Sequence, residues 1–299
     1  MTLTAFILIL ISVFLHVGWN FLSKSKKPSA AFYLLASMTS VVLWLPFFLF
    51  CEAEWSALPG RFWLLVLSSG FFEVLYFLGL FQAYRKSDIS MAYPLARAMP
   101  VLMVAAVTMI FGLGRPPGTA ALLGMAVVSI GCLLMPLKHL SEFRPRSYVN
   151  PAQLFILLAA VGTTGYTVFD SLASPMLAAK SASPKIVWSG AYLGMIELMI
   201  TAGLGSYVYS HQEERAEFKR LFCRSIYPVI CGCFASGAYA LVLISMLFVS
   251  NVSYIQAFRQ MSLPLGVLAG IFLLKENHNP LKLSGIALVV AGLLLVSLG

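Results

Sequence analysis

Charge is scarce in this chain. Of its 299 residues only 10% are Asp, Glu, Lys or Arg, against about 25% in a water-soluble domain. That shortage excludes a soluble enzyme, a disordered protein and a nucleic-acid binder with a folded cytosolic core. Acidic residues are the scarcest, eleven against twenty Lys and Arg, for a net charge of +9. In a soluble chain that surplus points to nucleic acid. In an apolar one it reflects basic loops on the cytoplasmic side, so no nucleic-acid partner is expected. The five cysteines (Cys51, Cys132, Cys223, Cys231 and Cys233) are odd in number and form no CxxC pair. They read as packing residues, not as a metal site or a disulfide framework. GxxxxGK[ST], HExxH, GxSxG and any dense His/Asp cluster are all absent. That excludes direct drive by ATP and leaves no catalytic constellation, so neither cofactor, metal nor enzymatic activity is expected.

What the chain has in quantity is apolar length. Hydrophobic residues make up 60% of it and the mean hydropathy is +0.89. A helix needs about 20 apolar residues to cross the hydrocarbon core. Ten stretches qualify: 3–22, 30–51, 61–84, 89–112, 117–137, 152–178, 185–209, 225–248, 251–274 and 280–298. Open strands are excluded at that depth because their edge amides would lack partners. The expectation is an all-α integral membrane protein of ten transmembrane helices, with the lipid bilayer as its main partner. The first stretch lacks a basic n-region and a small-residue cleavage site, so it reads as a retained span.

Loop charge sets the orientation. Ten spans put both termini on one face. The loops of the opposite face carry Lys24, Lys26, Lys27, Arg85, Lys86, Lys138, Arg144, Arg146, Arg215, Lys219, Arg220, Arg224, Lys275 and Lys282. The termini face has Arg61, Arg115, Lys180 and Lys185. Fourteen against four places both termini outside the cytoplasm. A bacterial inner (cell) membrane is the expected location.

The chain also repeats. The stretch 76–112 parallels 239–276 at an offset of about 162, which aligns Arg97 with Arg259. With one gap, Gly124 aligns with Gly285 and Gly131 with Gly292. Each half has five spans, an odd number, so the second is inverted relative to the first. The halves are residues 1–137 and 151–299, joined by a polar linker at 138–150. Glycines spaced by seven in the fifth and tenth spans, and Gly266 with Gly270 in the ninth, suit close helix packing, within the chain or in a homodimer.

Four stretches carry a resemblance: HVGWN at 16–20 with Lys24 following, AYPLAR at 92–97, GYTVFD at 165–170, and VSYIQAFRQMS at 252–262. With them the two halves resemble the EamA domains of the drug/metabolite transporter superfamily. The resemblance implies two inverted five-helix repeats and export or exchange of a small metabolite. The superfamily's substrates range from amino acids to sugars, nucleotide-sugars and drugs, so it implies no particular one.

Ionisable groups inside spans cost about 2.5–3.5 kcal/mol each at the helix centre and mark function by default. Six qualify: His16, Glu73, Arg97, Asp170, Glu197 and Arg259. Arg97 and Arg259 each lie about nine residues into a span, ~12–13 Å deep at 1.5 Å per residue. Entering from opposite faces, both arrive near the midplane. Two guanidiniums there can clamp a carboxylate or phosphate, or they can neutralise Glu73, Asp170 or Glu197. Pro94 and Pro100 bracket Arg97, and Pro264 follows Arg259; each frees a backbone carbonyl beside the charge.

Glu73, with Tyr76 on its face, can couple protons or serve as a counter-ion. Asp170, one turn from Tyr166, suits a gate. Glu197 shares a face with Gly190, Gly194 and Thr201, which suits helix packing. His16, Trp19 and Asn20 form a polar and aromatic trio on the first span, and Tyr93 lies one turn before Arg97. The candidate substrate site is therefore Arg97, Arg259, Tyr93, Glu73, Tyr76, His16, Trp19 and Asn20, with Asp170 and Tyr166 for gating or coupling. The expected function is secondary transport by alternating access of a small polar metabolite, amino-acid-like or anionic. A flippase or drug exporter of the same fold is the alternative, and an intramembrane lipid-modifying enzyme a remoter one.

Overall fold

A computed structural model describes residues 2–25, 29–86, 89–135, 137, 151–274 and 279–299. The linker 138–150 lies outside them. The first part of the chain forms α1 (Leu3–Ser25), α2 (Ala30–Trp44), α3 (Pro46–Phe50), α4 (Gly60–Lys86), α5 (Ile89–Ile110) and α6 (Thr119–Leu134). The second forms α7 (Pro151–Ala179), α8 (Lys185–Ser210), α9 (Gln212–Arg224), α10 (Tyr227–Ser245), α11 (Val252–Phe258), α12 (Ser262–Leu274) and α13 (Pro280–Leu298). Among the described residues there is no strand, only an isolated bridge between Ala53 and Ser181. Among the described residues six helical segments are long and apolar enough to cross a membrane, and α1, α5 and α6 contribute shorter apolar stretches.

Local chemistry sets the breaks. α2 gives way to α3 at Leu45, where Pro46 has no N–H to continue the ladder. Ser29, Asn251 and Asn279 cap α2, α11 and α13, each side chain accepting from a backbone N–H of the first turn. After α5 the chain reverses through Gly112 and Gly114, both at positive φ. Gly114 also has its Cα against the carbonyl of Ser250, where a Cβ would sit 2.6 Å away.

Two expectations need correction. The stretch after residue 209, read as a loop, contains the polar helix α9, which has no apolar run to betray it. The span expected at 251–274 is not one helix. A 3-10 turn at Arg259–Met261 separates α11 from α12. In the first half α5 stays helical through Pro94 and Pro100.

Glycine seams hold the bundle together. α6 lies along α13, and a Cβ on Gly124 would meet the carbonyl of Gly292 at 2.6 Å. One on Gly292 would meet the carbonyl of Gly124 at 2.7 Å, and Gly131 and Gly285 oppose each other in the same way. These glycines are therefore used inside the chain and do not form a dimer face. Gly79 of α4 and Gly162 of α7 make a second such seam. Outward surfaces are apolar, as on α1, where Leu3, Ile7, Ile11 and Phe14 are exposed and Ile9, Ser12 and Val13 are buried. A soluble protein would reverse that pattern.

At the termini end the two parts of the chain are tied by backbone. Glu54 N–H donates to the Lys180 carbonyl and Ala182 N–H to the Glu52 carbonyl, each at 2.9 Å, and Arg115 N–H donates to the Ser250 carbonyl at 3.0 Å. Asn251 joins them. Its Oδ1 accepts from Thr108 Oγ1 and Ser253 N–H, and its Nδ2 donates to the carbonyls of Leu113 and Arg115.

Candidate functional site

Inside the bundle α1, α4, α7, α8, α10 and the turn at Arg259 surround a cavity. Room for the centres of water-sized molecules is about 60 Å³. At ~10–15 Å³ per water that holds a few waters, so a larger solute enters only when the helices part. Rings form much of the wall. Tyr166 meets Tyr76 at 5.9 Å and Tyr239 at 5.6 Å between centroids, and Trp19 and Phe77 complete the collar.

The two arginines, aligned in the repeat, do different work. Arg259 faces the cavity. Its guanidinium lies 5.5 Å from the Tyr239 ring centroid and, among the described residues, makes only long contacts, 3.5 Å to Gln256 Oε1 and 3.5 Å to Tyr166 OH. Arg97 does not line the cavity. Its Nη2 donates to the Arg259 carbonyl at 3.0 Å and to Ser262 Oγ at 2.8 Å, and its Nη1 lies 2.8 Å from His16 Nε2. Arg97 thus holds the 3-10 turn that presents Arg259. The two guanidiniums do not converge on one point.

His16 connects this brace to the cavity wall. Trp19 Nε1–H donates to His16 Nδ1 at 2.9 Å, while Arg97 approaches the other ring nitrogen. Indole and guanidinium can only donate, and a neutral imidazole accepts at one nitrogen. The two donors compete for it.

The carboxylates differ equally. Glu73 is 7% exposed and lines the cavity. Among the described residues no group donates a hydrogen bond to its carboxylate. Glu197 lines the cavity too, but its Oε2 accepts from Ser37 Oγ at 2.9 Å. The glycines of its stripe do pack closely, Gly190 on Trp44 and Phe47 and Gly194 on the backbone of Leu45. Asp170 is wholly buried and lies behind the wall, accepting from Tyr192 OH at 2.6 Å and from Tyr239 OH. Arg259, Tyr239, Asp170 and Tyr192 therefore form a chain leading away from the cavity.

A sequence pattern described as "Sugar transport protein" matches residues 3–299. The chain belongs to the sugar transport protein family. It is accordingly a membrane transporter. No curated protein matches it significantly. Among solved structures it is similar to a chain described only as "Crystal structure of protein", with a TM-score of 0.67 and 15% identity over 98% of this chain and 97% of that one. At that identity the likeness is one of fold alone.

In this family member the cavity gathers six of the residues expected in the substrate site or its gate: His16, Trp19, Glu73, Tyr76, Tyr166 and Arg259. Arg97 and Asp170 stand one layer back. The side chains of Asn20 and Tyr93 lie outside the described residues. Sequence reasoning missed Ser12, Phe77 and Ile196, and favoured a packing role for Glu197. For Glu197 the signal was its charge inside a span, which the glycines on the same face outweighed. The apolar members carried none, because an Ile facing a cavity and one facing lipid read alike.

Proposed function

We propose that this protein is a secondary transporter of a small, neutral, polyhydroxylated solute, a sugar or polyol, working by alternating access between two inverted five-helix halves. The carrying observation is Glu73, a buried carboxylate facing the cavity with no donor from the described residues. An ionised carboxylate only accepts, so its natural partner is a solute rich in hydroxyl donors. The aromatic collar suits the apolar faces of such a solute, and the family description agrees with it. The count of charges disfavours an anion. Around the cavity two buried arginines, Arg97 and Arg259, stand against three buried carboxylates, Glu73, Asp170 and Glu197, leaving no positive surplus to offer.

Two inverted halves are supported by the packing. α4 packs on α7 as α10 does on α1, α4 on α8 as α10 on α2, and α2–α8 and α6–α13 map onto themselves. Exchanging the halves preserves this pattern. The EamA-like, drug/metabolite-transporter architecture, a cell-membrane location and termini outside the cytoplasm are parts of the same proposal. The last rests on loop charge, and labelling of terminal cysteines from outside cells tests it. Gradients of solute or coupling ion, not ATP, would set the direction.

Thermal unfolding of the purified protein against paired solutes tests the substrate class, each neutral sugar beside its phosphate or uronate. A ligand at 100 times its dissociation constant adds about 2.7 kcal/mol. Stabilisation by neutral sugars that is lost in Glu73→Gln is expected. Stabilisation by the anionic partner alone, or by amines alone, refutes this reading.

A further inference from the structure

The polar helix α9, between α8 and α10, sorts its charges. Its acids are paired, and one of them is buried. Glu214 is 5% exposed; its Oε2 accepts the Ala31 N–H at 3.0 Å, capping the start of α2, and its Oε1 lies 3.5 Å from Arg85 Nη1. Glu213 is 3.8 Å from the same guanidinium. Glu217 pairs with Arg220 at 2.6 Å. Every acid of the helix is thus engaged.

The other flank carries cations only. Arg215 and Lys219, four apart, share it with Phe222. Both cations are exposed, and Phe222 is 68% exposed. No carboxylate among the described residues lies within ion-pair reach of Arg215 or Lys219. Directly after the helix, Ile226 and Val229 begin the exposed apolar surface of α10, so this flank sits at the edge of the lipid-facing wall.

We propose that α9 is an interfacial helix whose Arg215–Lys219–Phe222 flank binds the headgroups of anionic phospholipids. Phe222 enters the headgroup boundary, and the two long side chains lay their stems on apolar surface with the charges at phosphate level. Neighbouring neutral lipids cannot satisfy the pair equally, since the attraction scales with lipid charge. Through Glu214 the helix also grips α2 and Arg85 of α4, so the lipid contact reaches two of the helices that build the bundle. The inference requires only the membrane-embedded fold and is independent of the solute.

The test measures lipid retention by the full chain in detergent, using native mass spectrometry with phosphatidylglycerol and phosphatidylcholine of identical acyl chains. Wild type is expected to retain phosphatidylglycerol preferentially. A factor of about five per basic residue, from ~1 kcal/mol each, makes Arg215→Gln/Lys219→Gln about thirtyfold weaker for it. Arg220→Gln, whose charge is held by Glu217, serves as control and should keep the preference. Raising salt from ~0.05 to ~0.5 M shortens the screening length and should erode the wild-type preference, which tests the idea even if the double variant folds poorly. Equal retention of the two lipids, or an unchanged preference in a folded double variant, overturns the proposal. Displacement by free glycerophosphate at equal concentration would overturn it too, in favour of a plain anion site.

Discussion

Arg97 and Arg259 align in the sequence but should fail differently when truncated. Arg97→Ala removes three short contacts, at 2.8 Å to His16, 3.0 Å to the Arg259 carbonyl and 2.8 Å to Ser262. Hydrogen bonds from a charged donor are worth about 1.5–3 kcal/mol each. They are not additive here, because the Arg259 carbonyl keeps Ser262 Oγ at 2.9 Å. The expected loss of stability is about 3–5 kcal/mol. Arg259→Ala removes two contacts at the 3.5 Å limit and a ring contact at 5.5 Å. Cation–π attraction contributes ~0.5–2 kcal/mol, so its stability loss should be near 1–2 kcal/mol. Its affinity loss should exceed tenfold, the equivalent of about 1.4 kcal/mol, because this guanidinium faces the cavity proposed to hold the solute. Thermal unfolding without solute and a solute titration, run on both variants, separate the two roles. Equal destabilisation of both, or Arg259→Ala binding at wild-type strength, refutes the assignment of brace and ligand.

Three further outcomes follow from the geometry. Glu73→Gln should preserve the fold, as it removes a buried charge without changing volume, while weakening sugar binding at least tenfold, about 1.4 kcal/mol; an unaltered titration would remove Glu73 from the site. Gly292→Ala should cost about 1–3 kcal/mol in thermal unfolding, since its new Cβ would meet backbone 2.7 Å away, whereas alanine at Gly266, with nothing within 4 Å, should be close to neutral. Asn251→Ala should cost about 0.5–2 kcal/mol as a lost helix cap and loosen the termini end. In a background without native cysteines, Ala238→Cys in the cavity wall should then label faster from that side, and an unchanged rate would show that Asn251 is not a latch.

Apolar length made the helices legible before any coordinates. The stretches expected at 61–84, 185–209 and 280–298 are the helices Gly60–Lys86, Lys185–Ser210 and Pro280–Leu298. Where hydropathy is silent, the reading stopped. α9 carries seven charged residues in thirteen, and only its pairing of Glu214 with Phe218 and Leu221 on one side hinted at a helix lying against protein. Pro264 pointed to a break beside Arg259, but Pro94 and Pro100 gave the same sign in α5, which stays helical, so proline alone does not locate the split. Buried charges pointed to the interior where the cavity lies, but burial does not say what a charge faces. Arg97 and Arg259 occupy matching depths, and only the side-chain contacts separate the one holding backbone from the one facing the cavity.

The pairing of α6 with α13 has a symmetry of its own. Gly124 approaches the Gly292 carbonyl as Gly292 approaches that of Gly124, so the contact reads the same from either helix. In an oligomer this would be an isologous interface, the two-fold kind that joins identical subunits. Here it is folded into one polypeptide, which means that a dimer of this protein has to find another face. It also means that a methyl group added at either glycine meets the facing backbone, which trimming the neighbouring side chains of Val128 and Val296 would not clear.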